Sequence, residues 1–132
     1  MKDLDRTVLL LLVEDEELIL VATQDALETG GFEVVTAQNG DDAIKLLDEH
    51  GERVAGVITD VRLGGGSSGW EVGRYARRAK ADLPIVYTTG DSAAEWSAEG
   101  VPKSILVQKP YADAQLLTAI SNLLNEASGT AA

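Results

Sequence analysis

Short apolar stretches alternate with longer amphipathic stretches along the whole chain. The first apolar stretch, residues 8–13, is uninterrupted, as expected of a strand that is covered on both faces. The longer stretches repeat apolar residues at helical spacing, and Gly30 and Gly31 end the first of them. The pattern predicts strands at Val8–Val13, Glu33–Ala37, Ala55–Thr59, Ile85–Thr89 and Ser104–Val107. It predicts helices at Glu16–Thr29, Asp41–His50, Trp70–Ala81, Ser92–Ala98 and Ala112–Asn125.

The order of these elements predicts the fold class. Five strands alternate strictly with five helices, which is typical of an α/β fold with a doubly wound parallel sheet. We expect a single domain over residues 1–132, with a core at about 6–126 and a frayed polar tail at 127–132. In such sheets the functional site lies at the carboxyl ends of the strands, so the residues at those ends are the candidates.

The predicted strand ends contain three acids, two threonines and one lysine, namely Glu14, Asp15, Asp60, Thr88, Thr89 and Lys109. Taken singly, each has a simpler explanation. Acids after a strand favour the N-terminus of the next helix, which accounts well for Glu16 and Glu17, and aspartate is common in turns. The occurrence of all these groups at one edge of a sheet is much harder to explain by such local preferences.

These groups favour one kind of chemistry when they are taken together. Neighbouring carboxylates repel one another unless a cation joins them, and oxygen ligands without His or Cys select a hard ion such as Mg²⁺. A carboxylate beside such an ion can attack phosphorus, because carboxylates are covalent nucleophiles in other enzymes. A lysine and a hydroxyl could then hold the remaining phosphoryl oxygens.

Composition excludes several other classes of protein. The chain has no cysteine and one histidine, so thiolate and histidine-rich metal sites are excluded. The formal net charge of −11 opposes nucleic-acid binding, which needs clustered Lys and Arg. The apolar run at the start is too short for a signal peptide or a membrane span. We therefore expect a cytoplasmic protein that binds neither nucleic acid nor membrane.

Four motifs, in this order, carry a family resemblance: "LLVEDE", "VITDVRL", "PIVYTTG" and "LVQKPY". With these motifs the chain resembles the receiver domain of bacterial response regulators over about residues 6–126. The resemblance implies a CheY-like, flavodoxin-like (βα)5 fold with strand order 2-1-3-4-5. It implies two-component phosphorelay signalling, in which a histidine kinase or a His-phosphotransfer protein phosphorylates Asp60 and the domain acts as a conformational switch through protein contacts.

The resemblance also implies roles for single residues. Mg²⁺ would be held by Glu14, mostly through water, by Asp15 and Asp60, and by the backbone carbonyl of Arg62. Thr89, favoured over Thr88 by counting from Pro84, would bond the phosphoryl group, and Lys109 would pair with it; the Lys109–Pro110 bond is usually cis in such proteins. Such a domain is not an enzyme, apart from self-catalysed phosphoryl transfer and hydrolysis. We expect a stand-alone monomer or weak dimer that contacts an unknown downstream protein through the fourth helix, fifth strand and fifth helix.

The residue at position 106 and the fourth helix depart from the family pattern, and two further residues stand at positions that tune the chemistry. Leu106 replaces the aromatic residue that many receivers have three positions before the lysine, so the output surface is expected to respond differently. The fourth helix is short and poor in apolar spacing, and we expect it to be mobile. Arg62 and Asp91 have opposite charges at two positions that tune the chemistry in the family. We predict that they pair across the mouth of the site, screen the attacking water and slow dephosphorylation.

Two other functions remain open from the residues alone. The stretch "GGGSSG", residues 64–69, matches the glycine pattern of dinucleotide-binding turns, although that pattern belongs to the first strand–helix turn and this is the third. The simpler interpretation is a flexible loop beside Asp60. A phosphatase with an aspartate nucleophile would share the same chemistry, but it would normally have a second acid two residues later, where Arg62 stands.

Overall fold

The structure is a computed structural model that describes residues 7–127. Five parallel strands form one sheet in the order β2-β1-β3-β4-β5, which confirms the predicted fold class and strand order. The strands are β1 (Leu9–Val13), β2 (Glu33–Ala37), β3 (Val54–Asp60), β4 (Ile85–Thr89) and β5 (Ile105–Gln108). The helices are α1 (Glu17–Thr29), α2 (Gly40–His50), α3 (Gly69–Ala79), α4 (Trp96–Glu99) and α5 (Asp113–Ala127). None of these helices is long and apolar enough to span a membrane.

Helices cover both faces of the sheet because β1 is apolar at every position. Leu9, Leu11 and Val13 point into one buried cluster, which α2 and α3 complete, and Leu10 and Leu12 point into another, which α1 and α5 complete. Successive side chains of a strand face opposite sides, so an uninterrupted apolar run supplies both clusters at once. The sheet is therefore a central layer between two helical layers, and its acidic side chains, Glu33 and Asp60, are at strand ends.

Local signals explain where two of the helices begin. The side chain of Asn39 accepts a hydrogen bond from the Asp42 amide at 2.8 Å, so α2 starts at Gly40, one residue before the predicted start. Ser68 and Glu71 form a capping box in which each side chain accepts a bond from the other residue's amide, and α3 starts at Gly69. These two caps fix the first residues of α2 and α3.

The predicted bounds differ from the structure by one or two residues in several elements. Asp60 is the last residue of β3 rather than the residue after it. The third helix ends at Ala79, two residues early, and Lys80 becomes extended where its ammonium donates to the carbonyls of Glu52 and Val54. The last helix continues through Ala127, the first residue of the tail predicted to fray, and residues 128–132 lie outside the described part of the chain.

The fourth helical segment differs most from its neighbours. A 3₁₀ turn at Ala93–Glu95 leads into a single α-helical turn, α4, where the sequence predicts a helix over Ser92–Ala98. None of the side chains in these two turns is fully buried, so little apolar packing supports a longer helix here. The predicted short helix is present, and its predicted mobility stays a prediction.

Candidate functional site

Three carboxylates converge at the carboxyl end of the sheet. Glu14 and Asp15 follow β1 directly, and Asp60 ends the neighbouring strand β3, so the pairing of these two strands brings the acids together. One oxygen from each lies within 4.8 Å of the others. Glu14 and Asp60 are 2% and 7% exposed, while Asp15 is exposed. The cluster predicted from the strand ends is therefore present, with two buried acids and one open to solvent.

Lys109 joins the two buried acids. Its Nζ lies 2.9 Å from Oε1 of Glu14 and 3.1 Å from Oδ2 of Asp60. Its backbone amide donates to the carbonyl of Thr89 at 2.8 Å, which ties the end of β5 to the end of β4. The peptide bond from Lys109 to Pro110 is cis. Lys109 thus places one positive charge against two buried negative charges.

Burial opposes the charge of the two buried acids. Desolvation raises the pKa of Glu14 and of Asp60, and the hydrogen bonds and charge of Lys109 offset this only in part. Burial alone would lower the pKa of Lys109, but its hydrogen bond to Glu14 and the charge of Asp60 outweigh burial and raise that pKa. The lysine is therefore held in its charged form, and the carboxylates remain short of positive charge.

Thr89 is at the end of β4, beside the acids but not bonded to them. Its hydroxyl oxygen accepts the amides of Asp91 at 3.2 Å and Ser92 at 2.8 Å. Within residues 7–127, the hydrogen bonds of this hydroxyl stay in its own loop and none joins it to a carboxylate. Thr88 is the strand partner of Asp60 and is also buried, so its position does not distinguish it from Thr89 for a role at the site.

The predicted ion pair at the mouth of the site is present. Nε of Arg62 lies 3.2 Å from Oδ1 of Asp91, and the hydroxyl of Ser92 donates to the same carboxylate oxygen at 3.0 Å. The two side chains are 74% and 59% exposed, so the pair adds little to stability. Their pairing is confirmed, whereas their effect on hydrolysis and the role of the Arg62 carbonyl as a metal ligand stay predictions.

The base of the glycine-rich loop, residues 64–69, is held by hydrogen bonds, whereas its tip has open space around it. Ser67 donates its amide and its hydroxyl to Oδ1 of Asp41, at 3.3 and 3.0 Å, and the Gly69 amide donates to the Val61 carbonyl at 2.9 Å. A Cβ at Gly69 would lie 2.0 Å from the carbonyl oxygen of Asp60, so only glycine allows α3 to start this close to the acid. At Gly65, by contrast, an added Cβ would meet nothing. The prediction of a flexible loop is therefore left untested at the tip, and the base of the loop is tied to its neighbours.

One side-chain contact beside the site is not predictable from the sequence. The hydroxyl of Tyr111, two residues after Lys109, lies 3.0 Å from the hydroxyl of Thr23 in α1. The two residues are 88 positions apart, and no pattern in a single sequence links them. Only the three-dimensional packing of α1 against the loop after β5 brings them together.

The donor set fits a hard divalent cation. All three candidate ligands are carboxylates, and one of them is open to solvent, which leaves room for water or phosphate oxygens. A divalent cation would also supply the positive charge that the buried acids lack beyond Lys109.

The chain belongs to a family that this arrangement defines, the response regulator receiver domains. The family model "Response regulator receiver domain" matches residues 10–121. A response regulator receiver protein of Sinorhizobium medicae WSM419 is 42% identical, with 91% of this chain and 96% of that chain covered and a TM-score of 0.88. Receiver domains of this family act in two-component phosphorelay signalling, and that is the functional class of this chain.

Two other similar proteins bear on the site and on chain length. The receiver domain of sensor histidine kinase PA1611 of Pseudomonas aeruginosa PAO1 has a magnesium ion coordinated in its active-site cleft. It is 19% identical, with 91% and 99% of the two chains covered and a TM-score of 0.77, so the likeness is one of fold. The response regulator SaeR of Staphylococcus aureus is 27% identical over 117 residues, which are 87% of this chain and 50% of SaeR. The chain thus spans half or less of the length of the curated relatives it matches.

Proposed function

We propose that this chain accepts a phosphoryl group on Asp60 from a histidine kinase or a His-phosphotransfer protein and acts as a phosphorylation-controlled switch. The observation that supports this most directly is the position of Asp60. It is a 7%-exposed carboxylate at a strand end, within 4.8 Å of two other acids and 3.1 Å from a lysine ammonium. An aspartate that served only to form a turn would not need two neighbouring acids and a lysine.

The proposed transfer uses the residues in the arrangement described above. An oxygen of Asp60 attacks the phosphorus of a phosphohistidine, the P–N bond breaks, and the electron pair of that bond leaves with the imidazole. Lys109 already lies at the carboxylate and would stabilise negative charge on the phosphoryl oxygens. The Thr89 hydroxyl accepts two amide bonds but donates none within the described residues, so its hydrogen is available to a phosphoryl oxygen.

We further propose that the metal of this site is Mg²⁺. Its ligands would be Asp15, Asp60 and the backbone carbonyl of Arg62, with Glu14 acting mostly through water. When bound, Mg²⁺ supplies charge neutralisation between the carboxylates and the incoming phosphate. The magnesium ion in the receiver of PA1611 and the oxygen-only donor set of this chain both support the proposal.

The surface beside Lys109 is suited to a phosphodonor protein. Leu18 and Val21 of α1 are 87% and 55% exposed, and they are flanked by the acids Glu16 and Glu17. Exposed apolar side chains next to a reactive group are typical of a protein-binding surface.

Downstream contacts are proposed for the face of α4, β5 and α5, and this face would also serve a weak dimer. We propose a cytoplasmic location and no contact with nucleic acid.

The proposed reaction is stoichiometric, so the chain would not be an enzyme in the usual sense. After one transfer, Asp60 carries the phosphoryl group until water hydrolyses it. Phosphorylation would favour one of two conformations of the domain that are already populated, and a partner protein would bind that conformation preferentially.

Intact mass spectrometry after incubation with acetyl phosphate and Mg²⁺ tests the proposal. We expect an adduct of about 80 Da on the wild-type chain and none on Asp60→Asn. The matched control is Asp25→Asn, which removes an exposed acid on α1 and should leave the adduct intact. An unmodified wild-type chain with steady release of phosphate from small esters would contradict the proposal and favour a phosphatase.

A further inference from the structure

A groove separates the start of α1 from the loop after β5. It has a volume of about 570 Å³ and is lined by α1 on one side and by residues 109–113 on the other. Thr23 and Tyr111 both line this groove, and their hydroxyls are 3.0 Å apart. This is the one hydrogen bond between α1 and residues 109–113 in the described part of the chain. A single polar contact therefore joins the two sides of the groove near Lys109.

One partner of this contact is buried, and the other is half-buried. Thr23 is 4% exposed, and the Tyr111 ring packs against the apolar cluster beneath α1 and α5. Burial raises the pKa of Tyr111, and this effect outweighs the lowering by its bond to Thr23 and by the charge of Lys109. A buried hydroxyl that loses its partner is costly, so the two side chains hold each other in place.

The backbone that carries Lys109 is fixed at several points around the lysine. The Lys109 amide is bonded to Thr89, Tyr111 is bonded to α1, and the Ala112 amide is bonded to the side chain of Gln115 at 2.9 Å. The Lys109 side chain is a flexible stem with an ammonium at its end, so the place of Nζ depends on where the backbone holds the Cα. The bond between Tyr111 and Thr23 is the only hydrogen bond among the described residues that joins the middle of this loop to α1, where the Tyr111 ring also packs against the apolar cluster.

We infer that Tyr111 and Thr23 are positioning residues for Lys109, and that their hydroxyl contact holds the ammonium at the distance that phosphoryl transfer to Asp60 requires. The inference rests on the function proposed above. It goes further, because it assigns a role in the reaction to two residues that do not touch the reacting atoms. It also makes α1, which lines the proposed protein-binding surface, part of the structure that places Lys109.

The variants that test this inference separate stability from rate. Tyr111→Phe leaves the buried Thr23 hydroxyl without its partner and should lower the melting temperature by a few degrees. Thr23→Val leaves the half-buried Tyr111 hydroxyl without its partner and should lower the melting temperature by no more than that. The double variant removes both hydroxyls and fills the same space, so its melting temperature should return to within about 2 °C of the wild type. Thr23→Ser keeps the hydroxyl and should behave as the wild type does.

The readout is the rate at which each variant gains the adduct from acetyl phosphate at saturating Mg²⁺. We expect Tyr111→Phe, Thr23→Val and the double variant all to be slower by about fivefold or more, since small misplacements of a reacting group have large effects on rate. The double variant should thus recover its stability but not its rate. In a Lys109→Met background, Tyr111→Phe should cause no further slowing, because the group that it positions is gone.

A matched control is Tyr75→Phe. It removes a tyrosine hydroxyl that donates to Asp48 at 2.6 Å, in an exposed contact away from the cluster of Glu14, Asp15 and Asp60. It should leave the rate unchanged. A double variant as fast as the wild type would overturn the inference, and so would equal slowing by Tyr111→Phe with and without Lys109. Either result would leave the proposed function intact, whereas a wild-type chain that gains no adduct would overturn both.

Discussion

At the scale of single residues, the buried acids and Lys109 define the chemistry of the site. Glu14 and Asp60 are buried although their charged forms are disfavoured there, and Lys109 is bonded to both. Carboxylates that are short of positive charge favour the binding of a cation, and a carboxylate oxygen can donate an electron pair to phosphorus. The residues around this centre then determine how long the proposed phosphoryl group lasts.

Arg62 and Asp91 are expected to control that lifetime. Arg62→Ala and Asp91→Ala should each speed the loss of the phosphoryl group by roughly 1.4- to fivefold, because an exposed ion pair contributes about 0.2–1 kcal/mol. The measurement is the decay of the adduct by intact mass after removal of acetyl phosphate. The double variant should be no faster than the faster single variant if the two residues act as a pair.

The control for this prediction is Arg53→Ala, which removes the exposed pair of Arg53 with Glu33, 2.5 Å apart and outside the site. It should leave the decay unchanged. An equal lifetime in the wild type and in all Arg62 and Asp91 variants would show that the pair does not screen the attacking water.

The site residues could be predicted from the sequence where the strand order alone brings them together. Strand ends meet at one edge of a parallel sheet, so Glu14, Asp15, Asp60 and Lys109 could be grouped from their positions alone. The bond between Thr23 and Tyr111 could not be predicted, because the relative position of a helix and a distant loop depends on packing. The amides bonded to the Thr89 hydroxyl depend on the local path of a loop that no periodic pattern describes.

At the scale of elements, the segment around α4 depends on side-chain hydrogen bonds rather than on helix length. Thr89 accepts the amides at the start of this segment, and the Tyr87 hydroxyl accepts the amide of Val101 just after it at 3.2 Å. Trp96 donates to the hydroxyl of Ser104 at 2.9 Å, and that hydroxyl donates to the Val101 carbonyl at 2.6 Å. Two hydroxyls of β4 therefore hold the two ends of a segment that has one helical turn.

Tyr87→Phe should loosen the far end of this segment. The Val101 amide is buried and would lose its acceptor, at a cost of about 1–3 kcal/mol. Hydrogen exchange should become faster at Val101 and in α4. The amides on the buried face of α5 should change only as far as the global stability of the domain changes. In the wild type, α4 should already exchange faster than α5, and equal protection of the two would contradict the predicted mobility of α4.

The elements themselves were largely predictable because both periodicities are strong. Every strand and helix is present, and β2 and β4 have the predicted bounds. The starts of α2 and α3 were missed by one residue because Asn39 and Ser68 act as caps, although both residue types favour that position. The reduction of the fourth helix to a single turn was not predicted, since its weak pattern gives no boundary.

At the scale of the whole molecule, the positive charges of α3 are used internally. The segment 74–80 contains four of the eleven Lys and Arg residues of a chain with net charge −11. Arg77 donates to the carbonyls of Leu83 and Pro102 at 2.7 and 2.6 Å, and Lys80 donates to those of Glu52 and Val54. These cations stabilise strand and loop ends, so this segment is not a free basic patch for a nucleic acid.

The stability of the whole domain should respond to Mg²⁺ and to pH together. Burial raises the pKa of Glu14 and Asp60 above their ordinary values of 4.5 and 3.8. Without metal, the two groups therefore contribute to the stability of the folded state at pH values below those ordinary values, where both are protonated. That contribution is lost as the pH rises through the raised values, and metal-free protein at pH 7 should be less stable for this reason. At ten times its dissociation constant, Mg²⁺ should add about 1.4 kcal/mol, or roughly 3–6 °C in melting temperature.

Thermal melting at pH 7 with and without MgCl₂ checks this prediction, with NaCl of equal ionic strength as the control. Asp60→Asn removes one buried charge, so it should raise the metal-free melting temperature and reduce the effect of Mg²⁺. A wild-type melting temperature that is indifferent to Mg²⁺ would contradict the proposed metal site.

The glycine-rich loop offers a position for engineering beside the acceptor. Its base is fixed by the contacts of Ser67 and Gly69, while a Cβ added at Gly65 would have no atom within 4 Å. Residues inserted at Gly65 would therefore lengthen the loop without moving the start of α3 or the backbone of Asp60. A longer loop could cover the carboxylates and exclude small phosphodonors, and a reporter peptide inserted there would respond to the state of the site from a few residues away.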